Sequence, residues 1–230
     1  GENGCGKSTL IKIISGAQPP DAGELVIDGK RHAHLTPLEA LAAGIETVYQ
    51  DLSLLPNMSV RENVALTSEL AEHGGRLARV FDRRALADRA GRALAAVGLP
   101  ADADFQATLI EALPLATRQL VAIARAIASE AKFVIMDEPT TSLTQKEVAN
   151  LIAVLTALRG QGVTVLFVSH KLDECYAIGG EVIVLRDGQT VAQGPIADYT
   201  KAQLSELMTG RELAHARYRT QVHSAPQVVL

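Results

Sequence analysis

The stretch GENGCGKSTL, Gly1 to Leu10, carries the strongest signal in the chain. Gly1, Gly6, Lys7 and Ser8 satisfy the spacing G-x-x-x-x-G-K-[ST], a loop in which successive backbone N–H groups turn toward one point. Glycines permit that turn because no Cβ stands in the way, and a helix starting at Lys7 adds its N-terminal dipole to the same anion site. In such a loop the Lys7 ammonium reaches the β and γ phosphates of a nucleotide, and the Ser8 hydroxyl ligates Mg2+. Gly1, Glu2, Asn3, Gly4, Cys5, Gly6, Lys7, Ser8 and Thr9 are therefore the candidate nucleotide-binding set. A Gly-rich turn matching by chance is the alternative. The motif also calls for a buried strand ahead of the loop, and none stands before Gly1 in this sequence.

A magnesium-bound triphosphate needs a second oxygen ligand. KFVIMDEP (132–139) offers it as an apolar strand ending in Asp137, whose carboxylate emerges at the sheet edge where ligands bind. Glu138 follows directly, placed to polarise an attacking water as general base; a helix N-cap is the plainer alternative for the Asp-Glu pair. Gln50 closes IETVYQ and His170 closes VTVLFVSH, so both stand at strand ends, within reach of a γ phosphate, a metal or a water. A surface Gln and a backbone-satisfied core His are the competing readings.

Composition sets outer limits. The chain has 230 residues, 47% hydrophobic and 21% charged, enough to bury a sizeable core in one domain with an inserted lobe. Its longest apolar runs fall far short of the roughly 20 residues needed to cross a bilayer, and no signal peptide precedes the first motif. A net charge of −4 and 3% aromatic residues argue against a nucleic-acid partner. The Arg-rich stretch 76–92 is interleaved with Asp82 and Asp88 and reads as a solvated helix. Cys5 and Cys175 are too few and too isolated for a zinc site or a disulfide framework, which fits a reducing compartment.

Helix starts are legible from capping boxes at Thr36-Glu39, Ser59-Glu62 and Thr144-Glu147. Helices are expected near 7–16, 37–44, 60–72, 83–97, 115–129, 145–160, 172–178 and 201–209. Strands are expected at 24–29, 45–50, 132–137, 163–170, 181–188 and 189–194. FVIM and VLFV are apolar on consecutive positions, as in parallel strands covered on both faces. Asp187-Gly188 signals a tight hairpin. The expected fold class is α/β, a P-loop core with a mostly parallel sheet, antiparallel hairpins and a helical subdomain inserted over about 52–128.

As a set, GENGCGKST, VYQDLSLLPNMSV, IMDEPTTSLT and VLFVSHKLDE resemble the Walker A loop, Q-loop, Walker B with D-loop, and H-loop of the ATP-binding cassette superfamily. VLRDGQTVAQG and MTGREL further resemble the ATPases of bacterial importers for ribose, xylose, galactose and similar sugars, which carry two cassettes in one polypeptide. The resemblance covers about 1–213 and implies a first cassette that begins inside its Walker A loop, with 214–230 as a linker toward a second. It implies ATP and Mg2+ as ligands, Asp137, Ser8 and Gln50 at the metal, and Glu138, His170 and Gln50 in catalysis. The adenine-stacking aromatic of the family lies upstream of the loop.

The same resemblance implies a peripheral subunit on the cytoplasmic face of the inner membrane. Its partners are the second cassette, transmembrane permease subunits and, indirectly, a periplasmic sugar-binding protein. Leu54, Leu55, Pro56 and Met58 are candidates for the permease contact, unless they pack the core of the helical insert. One motif departs from the family. Where a signature close to Leu-Ser-Gly-Gly-Gln is expected, the chain has Leu113-Pro114-Leu115-Ala116-Thr117. Pro114 lacks a hydroxyl and an N–H, and Ala116 adds a Cβ where a phosphate approaches. One composite site is thus expected to work and the other to idle. A non-hydrolysing regulatory module and a soluble, non-transport cassette ATPase are the rival expectations.

Overall fold

The computed structural model describes residues 5–49, 52–65 and 83–210. The first helix, α1 (Lys7–Ile14), leads into a hairpin of β1 (Leu25–Ile27) and β2 (Lys30–His32), then α2 (Pro37–Ala42) and β3 (Ile45–Val48). A helical segment at 60–65, α3, opens the inserted region. It is followed by α4 (Arg83–Ala96), α5 (Ala103–Ala107) and α6 (Leu115–Ala128). The chain then alternates through β4 (Phe133–Asp137), α7 (Gln145–Gly160), β5 (Thr164–Val168) and α8 (Leu172–Ile178). It closes with the hairpin β6 (Glu181–Arg186) and β7 (Gln189–Pro195) and with α9 (Lys201–Thr209).

The helix starts form as the spacing predicts. Thr144 N donates to Glu147 Oε2 at 2.8 Å while Glu147 N donates to Thr144 Oγ1 at 3.4 Å, and the Thr36-Glu39 and Ser59-Glu62 boxes repeat the pattern. The Thr144 amide and hydroxyl hold the Glu147 carboxyl below its ordinary range. A fourth box, Thr200 with Gln203, caps α9 with an amide in place of the carboxylate. The short α5, capped by Asp102 through the Phe105 amide at 2.9 Å, and the charged strand β2 also fall outside the expected elements. The first helix ends two residues early: Gly16 has φ 75°, and a Cβ there would meet the Thr36 backbone at 2.4 Å.

A parallel sheet of order β3-β4-β5 forms the centre. In the middle strand, Ile135 faces a cluster with Ile11, Leu35, Ala40 and Ile45, while Val134 and Met136 face the larger cluster built on α4, α6 and α7. Both faces are covered, so the unbroken apolar run of β4 is explained. The second such run is not covered in the same way. Val165, Leu166, Phe167 and Val168 in β5 are only half-buried, because an apolar groove of about 760 Å3 opens between β5 and β6, lined by Leu10, Ile14, Leu166, Val168 and Val182 among others. Among the described residues β5 pairs only with β4, and β6 only with β7.

An unpaired edge beside exposed apolar side chains is an aggregation site. Residues 1–230 expressed as an isolated polypeptide are therefore expected to pellet on centrifugation of the lysate. A soluble monomer with a sharp cooperative melt would contradict this.

The β6–β7 hairpin turns at Asp187-Gly188, with φ 51° and 76°, the mirror-image turn that the dipeptide predicts. Its Gly188 amide donates to the Cys5 carbonyl at 3.2 Å, so the hairpin supports the base of the phosphate loop.

Candidate active site

The phosphate-loop end of the site rests on α1. Gly6 caps the helix at φ 97° without any side-chain hydrogen bond, and no acidic residue stands in the first turn. The helix N-terminus thus keeps its donors for an anion. Ser8 and Thr9 are exposed on that turn, whereas Cys5 is buried beneath it with its sulfur 3.5 Å from Lys7 Nζ. Gly1, Glu2, Asn3, Gly4 and Gln50 lie outside the described residues.

The other half of the site is made by the C-terminal ends of two parallel strands. Register pairs Asp137 with Val168, and Glu138 N continues the ladder to the Val168 carbonyl at 2.9 Å. Glu138 and His170, which follow those strand ends, then meet, with His170 Nδ1 3.3 Å from Glu138 Oε1. Glu138 adopts φ 48°, a left-handed conformation costing a non-glycine residue about 1 kcal/mol. Burial pushes the Asp137 carboxyl above its ordinary range, and the negative charge of Glu138 adds to that, while Lys7 opposes it. A cation beside Asp137 would relieve both effects, so the donor set of Asp137 and the exposed Ser8 hydroxyl fits Mg2+ delivered with a nucleotide.

Arg125, on α6, reaches across to the strand that leads to Gln50. Its Nε pairs with Glu46 Oε1 at 2.9 Å, its Nη1 donates to the Ser53 carbonyl at 2.8 Å and its Nη2 to the Thr47 carbonyl at 3.4 Å. One guanidinium thus holds the backbone carbonyls of Thr47 and Ser53. Gln119, six residues earlier on α6, donates to the Pro139 carbonyl and ties the same helix to the segment after Glu138. Neither link is visible in the sequence, since a buried Arg or Gln in an apolar helix carries no local signal of its partner.

The departing signature segment adopts a regular helix start. Pro114 is the N-cap of α6 and makes no side-chain cap, while Arg118 fixes the segment through the Leu113 and Glu111 carbonyls, each at 2.8 Å. Ala116 and Thr117 line a separate groove against the start of α7.

The chain matches the ABC transporter family over residues 1–141. It belongs to that family. It is 41% identical over 94% of its length to "Ribose import ATP-binding protein RbsA 3" of Rubrobacter xylanophilus. It is 39% identical over 93% of its length to a "Putative ribose/galactose/methyl galactoside import ATP-binding protein" of Pseudomonas fluorescens. The chain spans 42% and 40% of those curated relatives. Among solved structures it is similar to the cassette MJ0796 in a dimeric, post-hydrolysis state with ADP and Pi. There the TM-score is 0.72 at 28% identity, covering 85% of this chain and 82% of the other. A TM-score of 0.73 at 23% identity to the ADP conformation of the cassette MJ1267, covering 90% and 81%, supports the same ABC fold. The α/β P-loop class expected from the sequence is the class found.

Proposed function

We propose that this chain is a catalytic ATP-binding cassette of a two-cassette sugar-import ATPase. The observation that carries it is the 3.3 Å approach of His170 to Glu138 at a strand edge whose Asp137 feels the Lys7 charge. A carboxylate next to a ring nitrogen beside a phosphate loop is poised to polarise water for in-line attack on a γ phosphate. In this reading Gly1 to Thr9 cradle the phosphates, Lys7 offsets their charge, and Ser8, Asp137 and Gln50 hold Mg2+. His170 orients Glu138 and the phosphate, and the ADP-and-Pi neighbour supports hydrolysis as the reaction type.

The printed functions of the relatives support a sugar as cargo. Residues 1–213 form the cassette in this reading, with about 52–128 as the helical subdomain and 214–230 leading to the second cassette, which the 42% coverage of relatives supports. Among the described residues no helix is long and apolar enough to cross a membrane. In this reading the chain works at the cytoplasmic face of the inner membrane on permease subunits fed by a binding protein, which the import functions printed for its relatives support. Leu55 and Pro56 are exposed on a loop fixed by Asn63, which accepts from the Leu55 amide at 2.7 Å and donates to its carbonyl at 3.0 Å. They remain the permease-facing pair, together with half-buried Met58, whereas Leu54 packs on the core of the insert.

The uncapped Pro114 start of α6 supports asymmetry between the two composite sites. The test is MgATP turnover by the full-length polypeptide, wild type against Pro114→Ser/Ala116→Gly. Measurable wild-type turnover that changes by less than about twofold on restoration is expected. A rise of about tenfold or more would show that the second site had been limited by this signature, and no turnover in the assembled transporter would refute the catalytic assignment.

A further inference from the structure

Past the bond from the Glu138 amide to the Val168 carbonyl, the strand ladder ends, yet Glu138 and His170 still have to be held against each other. The side chain that bridges the two loops there comes from neither strand. Glu174, in the first turn of α8, is 7% exposed, and donors from both loops converge on its carboxylate. Its Oε2 accepts from Thr140 Oγ1 at 2.6 Å and from Ser169 Oγ at 3.1 Å, and its Oε1 pairs with Lys171 Nζ at 3.3 Å. Lys171 closes the ring. Its Nζ donates to the Thr140 carbonyl at 3.0 Å, and its backbone amide donates to Ser169 Oγ at 3.0 Å.

Thr140 stands two residues after Glu138 and is 2% exposed; Ser169 and Lys171 flank His170. A buried carboxylate costs desolvation unless its lone pairs are met, and among the described residues they are met by the two loops that carry the reacting pair. Thr141 adds a bond from its hydroxyl to the Glu138 carbonyl at 3.0 Å, which holds the left-handed turn at Glu138.

We infer that Glu174 is a positioning residue that clamps the loop after β4 to the loop after β5 and so fixes the distance between Glu138 and His170. The inference rests on the hydrolytic reading of that pair. It assigns Glu174 no contact with nucleotide or water. Loss of the clamp lowers the rate of the chemical step and leaves nucleotide affinity alone, because the bonds it cuts join the loops after β4 and β5.

The experiment uses the full-length protein with MgATP, comparing wild type, Glu174→Ala, Glu174→Gln, Thr140→Val and the double variant Thr140→Val/Glu174→Ala. Glu138→Gln is the background. Glu174→Ala is expected to lower kcat by about ten- to a hundredfold with KM changed by less than about twofold, as a misplaced catalytic group does. Glu174→Gln, which keeps the shape and one acceptor, recovers most of the rate. The double variant is no slower than the worse single one, since both cut the same clamp. Hydrogen exchange at 138–141 and 169–171 rises in both loops of Glu174→Ala. Unchanged kcat, a rise in KM matching the fall in kcat, or unchanged exchange in either loop overturns the inference. If Glu174→Ala does not fold, Thr140→Val with Ser169→Ala cuts the same two bonds and carries the same readouts. Wild-type turnover that survives Glu138→Gln refutes the catalytic assignment of this cassette, and the exchange data then still decide whether Glu174 ties the loops.

Discussion

Replacing Glu138 by Gln lowers MgATP turnover of the full-length polypeptide by about 10²-fold or more, with nucleotide binding within about twofold of wild type. The amide is isosteric, so the 3.3 Å approach of His170 is expected to survive, but it has too little basicity to draw a proton from water. Asp137 is expected to hold metal as before. Removing the neighbouring charge relieves one of the two effects that push its carboxyl upward, which favours the ionised form that binds a cation. Steady-state hydrolysis together with nucleotide binding by a fluorescent analogue checks both halves. Turnover that persists would place the chemistry in the partner cassette and make this chain the regulatory module.

Replacing Arg125 by Met destabilises the fold by about 3–5 kcal/mol, because a buried ion pair broken on one side leaves the other charge uncompensated. Glu46 and Arg125 are both nearly inaccessible, at 6% and 8% exposed, and Glu46 Oε2 already lacks a partner among the described residues. Burial pushes the Glu46 carboxyl up even with Arg125 alongside. Without that counter-ion the folded-state value rises further above the unfolded one.

The sign of the pH dependence follows. The penalty in Arg125→Met is full above the folded-state value and fades as pH falls toward the unfolded value, where Glu46 takes up a proton in both states. Thermal denaturation should show a midpoint lower by roughly 10 °C at neutral pH, with the gap narrowing in mild acid. The double variant Glu46→Leu/Arg125→Met, which removes both charges, should regain most of the loss. A gap that widens in acid would contradict the assignment. The same substitution frees the Thr47 and Ser53 carbonyls on either side of Gln50, so a fall in turnover is expected beyond what stability accounts for.

Much of the architecture was legible because the signals that bound helices are local. A hydroxyl three residues before a carboxylate closes on itself whatever packs around it, so α2 and α7 begin where their boxes predict; α8 and α9 also keep the expected bounds. Strand ends were less legible. The expected 45–50 and 163–170 shrink to Ile45–Val48 and Thr164–Val168, since a ladder stops where the partner stops, which no single strand encodes. The run VLFV illustrates the same limit: its side chains pack against both clusters as its apolarity predicts, yet they stay half-buried because a groove opens beside the strand.

The chemistry divides along the same line. Walker-type spacing, the apolar strand ending in Asp137-Glu138 and the His at the end of VTVLFVSH are contiguous patterns, each readable in a dozen residues or fewer. That Glu138 and His170 lie 3.3 Å apart depends on the parallel register of β4 and β5. Glu174 and Arg125 look like ordinary helical charges in the linear chain, and Arg125 finds Glu46 across 79 residues. A charged side chain is driven to a buried partner only after helices and sheet have enclosed both, because desolvation is a property of the assembled core and not of the residues that make it.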